Sequence, residues 1–597
     1  MKKTAIMHHT GREYVIPVSR DRLSIRIRVE VRQAERCRLV YWNRYSEDRR
    51  YAVQMECVSR DGAWDTYEAV VGSNEPVRYI RYYFEIVAGG ERIDVDEYVV
   101  AGAPFAGRYF EYFYTNPGDV LSLPQWAKGA TYYQIFPDRF RNGDTGNDPA
   151  DVQPWGSMPD REHFTGGDLR GIIERVEYLA ELGADIVYLT PVFHARSNHR
   201  YDTTDYMKVD PRLGTLTDLK ELVAKLHGKG IRVLLDGVFN HCGVDFGPFK
   251  DVVENGEGSK YRDWFFVDDW PADLNRENYE TVGYYKWMPK INLSNPDAKA
   301  YMLDAAAYWI REAGIDGWRI DVADEVDYLF LSSLRERVKA ENPDAILLGE
   351  CWKDAGRLLQ GGRLDSVMNY RFRDTAVDFF VKGIIDAGIL DRTLNHLYTV
   401  YPGEVAQGLY NLLDSHDTER FLTLCGGDVK KYKLAVAFQM TMPGAPAVYY
   451  GDEIGLTGGN DPDCRKCMEW DAAKWDREIN EWYRTLIALR RENEALRYGD
   501  WASNLCAPGV YGYVREYGDK RAYVVLNASD KERTVVVPLY EKAKSIFAEV
   551  LPGDGTYKSV AVKKRKQYHN GDMHDYHSKL SVKLNGYEIK VLNPGGR

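Results

Sequence analysis

The sequence predicts an α/β protein: a parallel (β/α)8 TIM barrel, with an N-terminal β-sandwich domain, an insertion after barrel strand 3 and a C-terminal antiparallel β-domain. Three observations carry this. The first ~122 residues alternate apolar and polar side chains with period two. From Pro124 onward, eight short apolar runs alternate with helical segments, the pattern of a parallel barrel. From about residue 503 the short alternating runs return. A chain of 597 residues is also too long for a single hydrophobic core.

In residues 1–122, Leu23, Ile25, Ile27, Val29 and Val31 alternate with Ser24, Arg26, Arg28 and Glu30, which predicts a strand with one buried and one wet face. Val77 to Val87, Gly89-Gly90, and Ile93 with Val95 read as a hairpin. The catalytic barrel is expected over 123–502. Its strands are read at Tyr132 to Ile135, Ile186 to Leu189, Ile231 to Leu235, Trp318 to Val322, Ala345 to Leu348, Ser366 to Asn369, Asn411 to Asp414 and Ala447 to Tyr450. Leu219, Leu222, Val223 and Leu226 follow helical spacing, with Thr217 as candidate N-cap and Gly228 and Gly230 at the end. The aromatic, polar stretch from about 242 to 295 is the insertion, followed by a helix near Ala298 to Ala313. A helix at Glu478 to Leu496 precedes the C-terminal domain, 503–597, with strands at Ala522 to Leu526 and Tyr587 to Leu592. The run Lys563-Lys564-Arg565-Lys566 is expected in a solvated loop.

The formal charge of −11, from 90 acidic and 79 basic residues, argues against a nucleic-acid partner, because nothing is gained from counterion release. No stretch approaches the ~18 apolar residues of a membrane span. Met1-Lys2-Lys3 is basic, but no apolar run follows it, so a cytoplasmic protein is expected. The eight cysteines are scattered and read as reduced thiols. Cys464-Arg465-Lys466-Cys467 is a lone CxxC without a second pair. Aromatic residues reach 13%, which suits both large cores and sugar rings, whose C–H faces lie well on amphipathic aromatics.

Active sites of such barrels lie at the C-terminal ends of the strands. The third run ends Asp236-Gly237-Val238-Phe239-Asn240-His241. The fourth ends Arg319-Ile320-Asp321, the fifth Gly349-Glu350, and the seventh Asp414-Ser415-His416-Asp417. Carboxylates converging from four strand ends are costly unless used. Arg319 and Asp321 are two apart and share a face, so the guanidinium is expected to keep Asp321 ionised, as a nucleophile requires. Glu350 follows an apolar run, a poorly solvated place suited to a proton donor. A carboxylate pair about 5 Å apart is the retaining glycosidase arrangement. Asp417 is a third acid, able to hold sugar hydroxyls and favour an oxocarbenium-like transition state.

These four segments, with Gly317-Trp318-Arg319-Ile320-Asp321-Val322-Ala323-Asp324-Glu325, resemble the signature regions of the α-amylase family (glycoside hydrolase family 13) in order and spacing over about 350 residues. The resemblance implies Asp321 as nucleophile, Glu350 as acid/base and Asp417 as transition-state stabiliser, with Tyr201, Asp202, His241, Arg319 and His416 lining the subsite of the attacked glucose. Met288-Pro289-Lys290-Ile291, Val322-Ala323-Asp324-Glu325 and the N-terminal domain are similar to the cyclomaltodextrinase, neopullulanase and maltogenic amylase branch. That branch usually has Val-Ala-Asn-Glu, so Asp324 adds a charge on the acceptor side. Asp461 and Arg465 resemble a substrate-contacting pair, and Trp352 is either a platform for the leaving sugar or a packing residue at the barrel rim.

The resemblance also implies a structural Ca2+ at Asn142, Asp144, Asn147 and Asp148, with Gly166 and Asp168. These are hard oxygen donors on a glycine-bearing loop, although Asn, Asp and Gly are equally what turns use. The expected activity is retaining hydrolysis of α-1,4-glucosidic bonds in cyclodextrins, maltooligosaccharides, and pullulan or starch. An α-1,6-acting or trehalose-forming relative, or a non-enzymatic glycan-binding protein, is the alternative; the last lacks the catalytic acids present here. Relatives with this N-terminal domain pair, so a homodimer is expected. The aromatics from Tyr79 to Phe84 and from Tyr109 to Tyr114 serve either that contact or granule binding.

Overall fold

The computed structural model describes residues 5–73, 76–97, 108–359, 362–541, 545–551, 553, 555–569 and 572–595, with 562–569, 572–575 and 577 described by backbone alone. The chain forms two compact units. One comprises Leu123–Val381 and Gln407–Asn493, the other Met1–Ser122, Lys382–Ala406 and Glu494–Arg597.

The first unit is the barrel. Its strands are β1 (Tyr132–Ile135), β2 (Ile186–Leu189), β3 (Arg232–Gly237), β4 (Gly317–Ile320), β5 (Ile346–Gly349), β6 (Ser366–Val367), β7 (Tyr410–Asn411) and β8 (Ala445–Tyr449). They pair in parallel in sequence order, β1 also pairs with β8, and a parallel bridge from Met368 to Tyr410 closes the ring between β6 and β7. Inward side chains fill the interior, among them Tyr132, Tyr188, Leu234, Leu348 and Tyr410. Register sets Asp236 of β3 beside Arg319 of β4. Gly317 is required at the start of β4: a Cβ there would lie 2.1 Å from the Ile346 carbonyl oxygen.

The helix after β2 spans Leu216–Gly228 and buries Leu219, Leu222, Val223 and Leu226 as expected. Its N-cap is Thr215, not Thr217, because Thr215 and Asp218 form a reciprocal capping box. After β3 the chain makes the insertion, with a helix at Gly247–Asn255 and short antiparallel bridges, one from His241 to Lys290. It re-enters through helix Pro296–Ala313, capped by Asn295.

In the second unit two antiparallel sheets enclose a core that includes Leu23, Ile25, Ile27, Val29, Tyr82, Phe84 and Phe110. The predicted hairpin is present, Arg78–Ala88 pairing with Glu91–Val95. The strand Arg22–Glu30 is wet on its other face only in part: Ser24 and Arg26 are buried, Arg28 is half-buried and Glu30 exposed. Helix Ala387–Val400, which the sequence assigned to the barrel stretch, lies there. Arg26 donates to the Thr399 carbonyl at 2.8 Å and Ser59 to the Asn395 carbonyl at 3.3 Å. Much of the aromatic surplus is core: Tyr82, Phe84 and Phe110 are buried together, while Tyr45, Phe113 and Tyr114 are exposed. The C-terminal part forms a six-stranded and a three-stranded antiparallel sheet. The basic run 563–566 lies in the strand Val560–His569 rather than in a loop; its side chains are outside the described residues. All eight cysteines are free.

Candidate active site

Arg319, fully buried on β4, organises the site. Its Nη1 donates to both Asp236 oxygens at 2.9 Å and to Asp321 Oδ1 at 2.7 Å, and its Nη2 lies 2.8 Å from Glu350 Oε2. Three carboxylates from three strand ends thus share one guanidinium. Asp236 also accepts from Tyr188 at 2.6 Å and Tyr201 at 2.9 Å. Glu350 accepts the Val322 amide at 2.9 Å and the Trp352 indole N–H at 3.1 Å.

The electrostatics differ from the sequence expectation. Burial pushes Asp321 well above the usual carboxylate range; Arg319 opposes this, while the Glu350 and Asp236 charges add to it. Burial also raises Asp236 to about 6, against Arg319 and the two tyrosines. Three carboxylates against one guanidinium leave surplus negative charge in a dry place.

The histidines are neutral. Burial, then the Arg465 and Arg319 charges, hold His416 well below its ordinary value; burial, then Lys290, brings His241 to about 3. Gln134 donates to His416 Nδ1 at 2.7 Å, and the Tyr410 hydroxyl fixes Gln134 by donating to its carbonyl oxygen. His416 therefore carries its proton on Nε2, facing Tyr201 and, at 3.2 Å, Asp417. His241 Nε2 is buried without a hydrogen-bond partner among the described residues, 3.7 Å from Asp321. Arg465 holds Asp417 at 3.2 Å, the His416 carbonyl at 2.8 Å and Asp461 at 2.9 Å.

A cavity of about 290 Å³ opens over these groups, with Asp321, Glu350, Asp417, Tyr201, His241, Asp461 and Arg465 all in its wall. Asp202 is not there: it is buried and its carboxylate accepts from Ser197. Trp352 stacks on Tyr370 at 3.8 Å and holds Glu350 through its N–H, so one ring face is already covered. The sequence reading missed four wall residues of the insertion, Val282, Tyr285, Trp287 and Met288, and two others, His199 and Arg161. Met288 opens the Met-Pro-Lys-Ile stretch and His199 precedes Tyr201-Asp202, so adjacency was the available signal. Arg161 sits in an irregular loop and reaches Asp461 at 3.1 Å.

The candidate metal loop is ordered by Asp168, whose two oxygens accept from Gly143, Asp144, Gly171 and the Asn147 amide. Those four donors use the carboxylate's acceptor sites, which makes Asp168 an anchor of the loop. Asn142 donates to Asp148 at 2.9 Å. A Cβ on Gly166 would lie 2.3 Å from both Asn142 Nδ2 and Asp148 Oδ1. Asn142 Oδ1 and Asn147 Oδ1 are buried with no hydrogen-bond partner among the described residues. Those residues hold no cluster of three His, Cys, Asp or Glu side chains suited to a metal, so amide oxygens would have to serve.

Comparison with known proteins agrees with the geometry. Residues 134–499 match the family described as "Alpha amylase, catalytic domain", and residues 1–116 "Alpha amylase, N-terminal ig-like domain". The chain is 42% identical over 555 residues to a cyclomaltodextrinase of Geobacillus thermopakistaniensis (strain MAS1), covering 91% of this chain and 94% of that protein. It is 42% identical over 561 residues to neopullulanase 2 of Thermoactinomyces vulgaris, covering 92% and 95%. A solved cyclomaltodextrinase structure superposes with a TM-score of 0.91 at 39% identity, covering 100% of both chains. With three strand-end acids gathered as that chemistry needs, the chain belongs to the α-amylase family of glycoside hydrolases, in its cyclomaltodextrinase, neopullulanase and maltogenic amylase branch.

Proposed function

We propose that this enzyme hydrolyses α-1,4-glucosidic bonds of small α-glucans, cyclodextrins and maltooligosaccharides first, with retention of configuration. The carrying observation is that Asp321 and Glu350 bind neighbouring nitrogens of one guanidinium, which brings an attacking carboxylate and a proton donor together in one site. Glu350 gives its proton to the glycosidic oxygen as Asp321 attacks the anomeric carbon and the leaving sugar departs. The ionised Glu350 then takes a proton from water, and the hydroxide oxygen displaces Asp321. Asp417, held by Arg465, stabilises the cationic sugar ring through its hydroxyls, and the neutral His241, whose Nε2 has no partner among the described residues, hydrogen-bonds the same sugar. The aromatic wall of Tyr285 and Trp287 supports the preference for short or ring-shaped substrates. Initial rates on β-cyclodextrin, pullulan and soluble starch test this; starch turned over fastest would overturn it.

Asn142 Oδ1, Asn147 Oδ1 and Asp148, with Asp144 and the Gly166 carbonyl, would hold a structural Ca2+, supported by the unpartnered amide oxygens. A homodimer through the N-terminal domain is supported by the exposed Tyr45, Phe113 and Tyr114. A cytoplasmic setting is supported by the eight free thiols. Among the described residues, no helix is long and apolar enough to cross a membrane.

A further inference from the structure

The two oxygens of Glu350 have different surroundings. Oε2 accepts the Val322 amide at 2.9 Å and lies 2.8 Å from Arg319 Nη2. Oε1 has one partner among the described residues, the Trp352 indole N–H at 3.1 Å. A proton on Oε2 would face an amide N–H and a guanidinium, groups that only donate. The acid's proton therefore belongs on Oε1, where a lone pair remains to accept from Trp352. The indole is held in place for this. Its ring stacks on Tyr370 with centroids 3.8 Å apart and planes 14° from parallel, and Tyr370 is 1% exposed within the barrel core. The rest of the Trp352 side chain is partly open, with the residue 36% exposed, so a sugar platform is the rival role. Among the described residues, however, Glu350 belongs to the wall of the catalytic cavity and Trp352 does not.

We propose that Oε1 is the proton-donating oxygen of Glu350, and that the Trp352 N–H aims it and stabilises the charge left on it. This rests on Glu350 being the acid of the reaction. In the step, the Oε1–H bond breaks and an O–H bond forms on the glycosidic oxygen. The electron pair of the C–O bond leaves with that oxygen, and Asp321 supplies the pair for the new bond to the anomeric carbon. Glu350 ends as a carboxylate with Val322 and Arg319 at Oε2 and Trp352 at Oε1. A hydrogen bond to a charged acceptor is about twice as strong as one to a neutral acceptor, so the indole contributes more after proton transfer than before it. The benefit falls on poor leaving groups, which need the proton, and hardly on activated ones. Trp352 acts through Glu350 and is a positioning residue.

Trp352→Phe is the test, because it keeps an aromatic ring on Tyr370 and removes the N–H. The readout is kcat/KM, which covers the steps up to the glycosyl ester. It should fall by about tenfold or more on a maltooligosaccharide and by less than about threefold on an activated aryl glucoside. A sugar platform predicts parent-like values for the Phe variant on both substrates, and a merely structural role predicts equal losses on both. Either result overturns the proposal. Should Trp352→Phe fail to fold, 3-benzothienylalanine in place of Trp352 exchanges only the N–H for sulfur and keeps both rings; the same split is expected, and its absence overturns the proposal. Glu350→Gln measured alongside separates this from the acid assignment. A split in Glu350→Gln without one in the Trp352 variants removes only the role of Trp352, whereas equal losses in Glu350→Gln remove the acid itself.

Discussion

Val322, the residue after the nucleophile, donates its amide to Glu350 Oε2 at 2.9 Å from a backbone with φ of +43°. A β-branched residue there is strained, and such strain persists where the surroundings fix it. Here it aims the peptide N–H at the acid, so one loop sets both the attacking carboxylate and the proton donor.

Asp321→Asn should abolish turnover, by about 10³-fold or more, because an amide cannot form the glycosyl ester. It also removes one charge from a group in which carboxylates outnumber the guanidinium, so its Tm should equal or exceed that of the parent. Steady-state rates with a thermal melt check both. A variant with parent activity would refute the assignment.

Glu350→Gln should spare an activated aryl glucoside in the first step and cripple natural glucans, since only the poor leaving group needs the proton. The amide N–H2 would also face the Trp352 N–H, which now donates to Glu350. Equal losses on both substrates would count against Glu350 as the acid. In the parent, proton NMR of fresh hydrolysate should show the α anomer first.

Acid should weaken the N-terminal domain through His8. Its Nδ1–H donates to the Arg26 carbonyl at 2.6 Å and its Nε2 accepts from Tyr82 at 3.0 Å, both in a buried place. Burial lowers it from 6.5 to about 3. The folded pKa lies below the unfolded one, so the unfolded chain takes up the extra proton as pH falls. Stability is full above 6.5 and is lost between 6.5 and about 3, by about 2–3 kcal/mol two units below the upper value. The gap in stability between the parent and His8→Gln should narrow over that window; a constant gap contradicts the reading.

Calcium should raise Tm without being needed for bond cleavage, because the loop at Asn142 to Asp148 shares no residue with the cavity wall. Removal by chelator should lower Tm, and Asn142→Ala should make Tm insensitive to calcium. A parent Tm unmoved by chelator leaves only turn residues there.

The homodimer is best tested at its surface. Deleting residues 1–121 would strip the cover from helix Ala387–Val400, which packs on the N-terminal sheet, and so confuse folding with assembly. Phe113→Asp should instead give a folded monomer by sedimentation, with reduced cyclodextrin activity relative to starch. A parent that sediments as a monomer at micromolar concentration overturns the homodimer.

Particular residues show why some of this was legible beforehand. The barrel strands were readable because each is a short, largely apolar run between helical segments, and β1 and β2 fall on the predicted positions. Thr215 was missed as a cap because Thr217 also precedes the apolar face; the capping box with Asp218 decides between them. Asp202 was carried in by its neighbour Tyr201, but successive side chains point different ways, and Asp202 turns to Ser197.

The sequence by itself determined the eightfold α/β repeat, the acids at the strand ends and the family, because local period and residue order carry that information. Only the tertiary structure decided which carboxylates share Arg319, that Asp168 is spent on backbone amides, and that helix Ala387–Val400 covers the sheet of Arg22–Glu30. Those outcomes depend on burial and on partners far apart in sequence. Desolvation, which raises Asp321 against its own arginine, exists only once the barrel has closed around them.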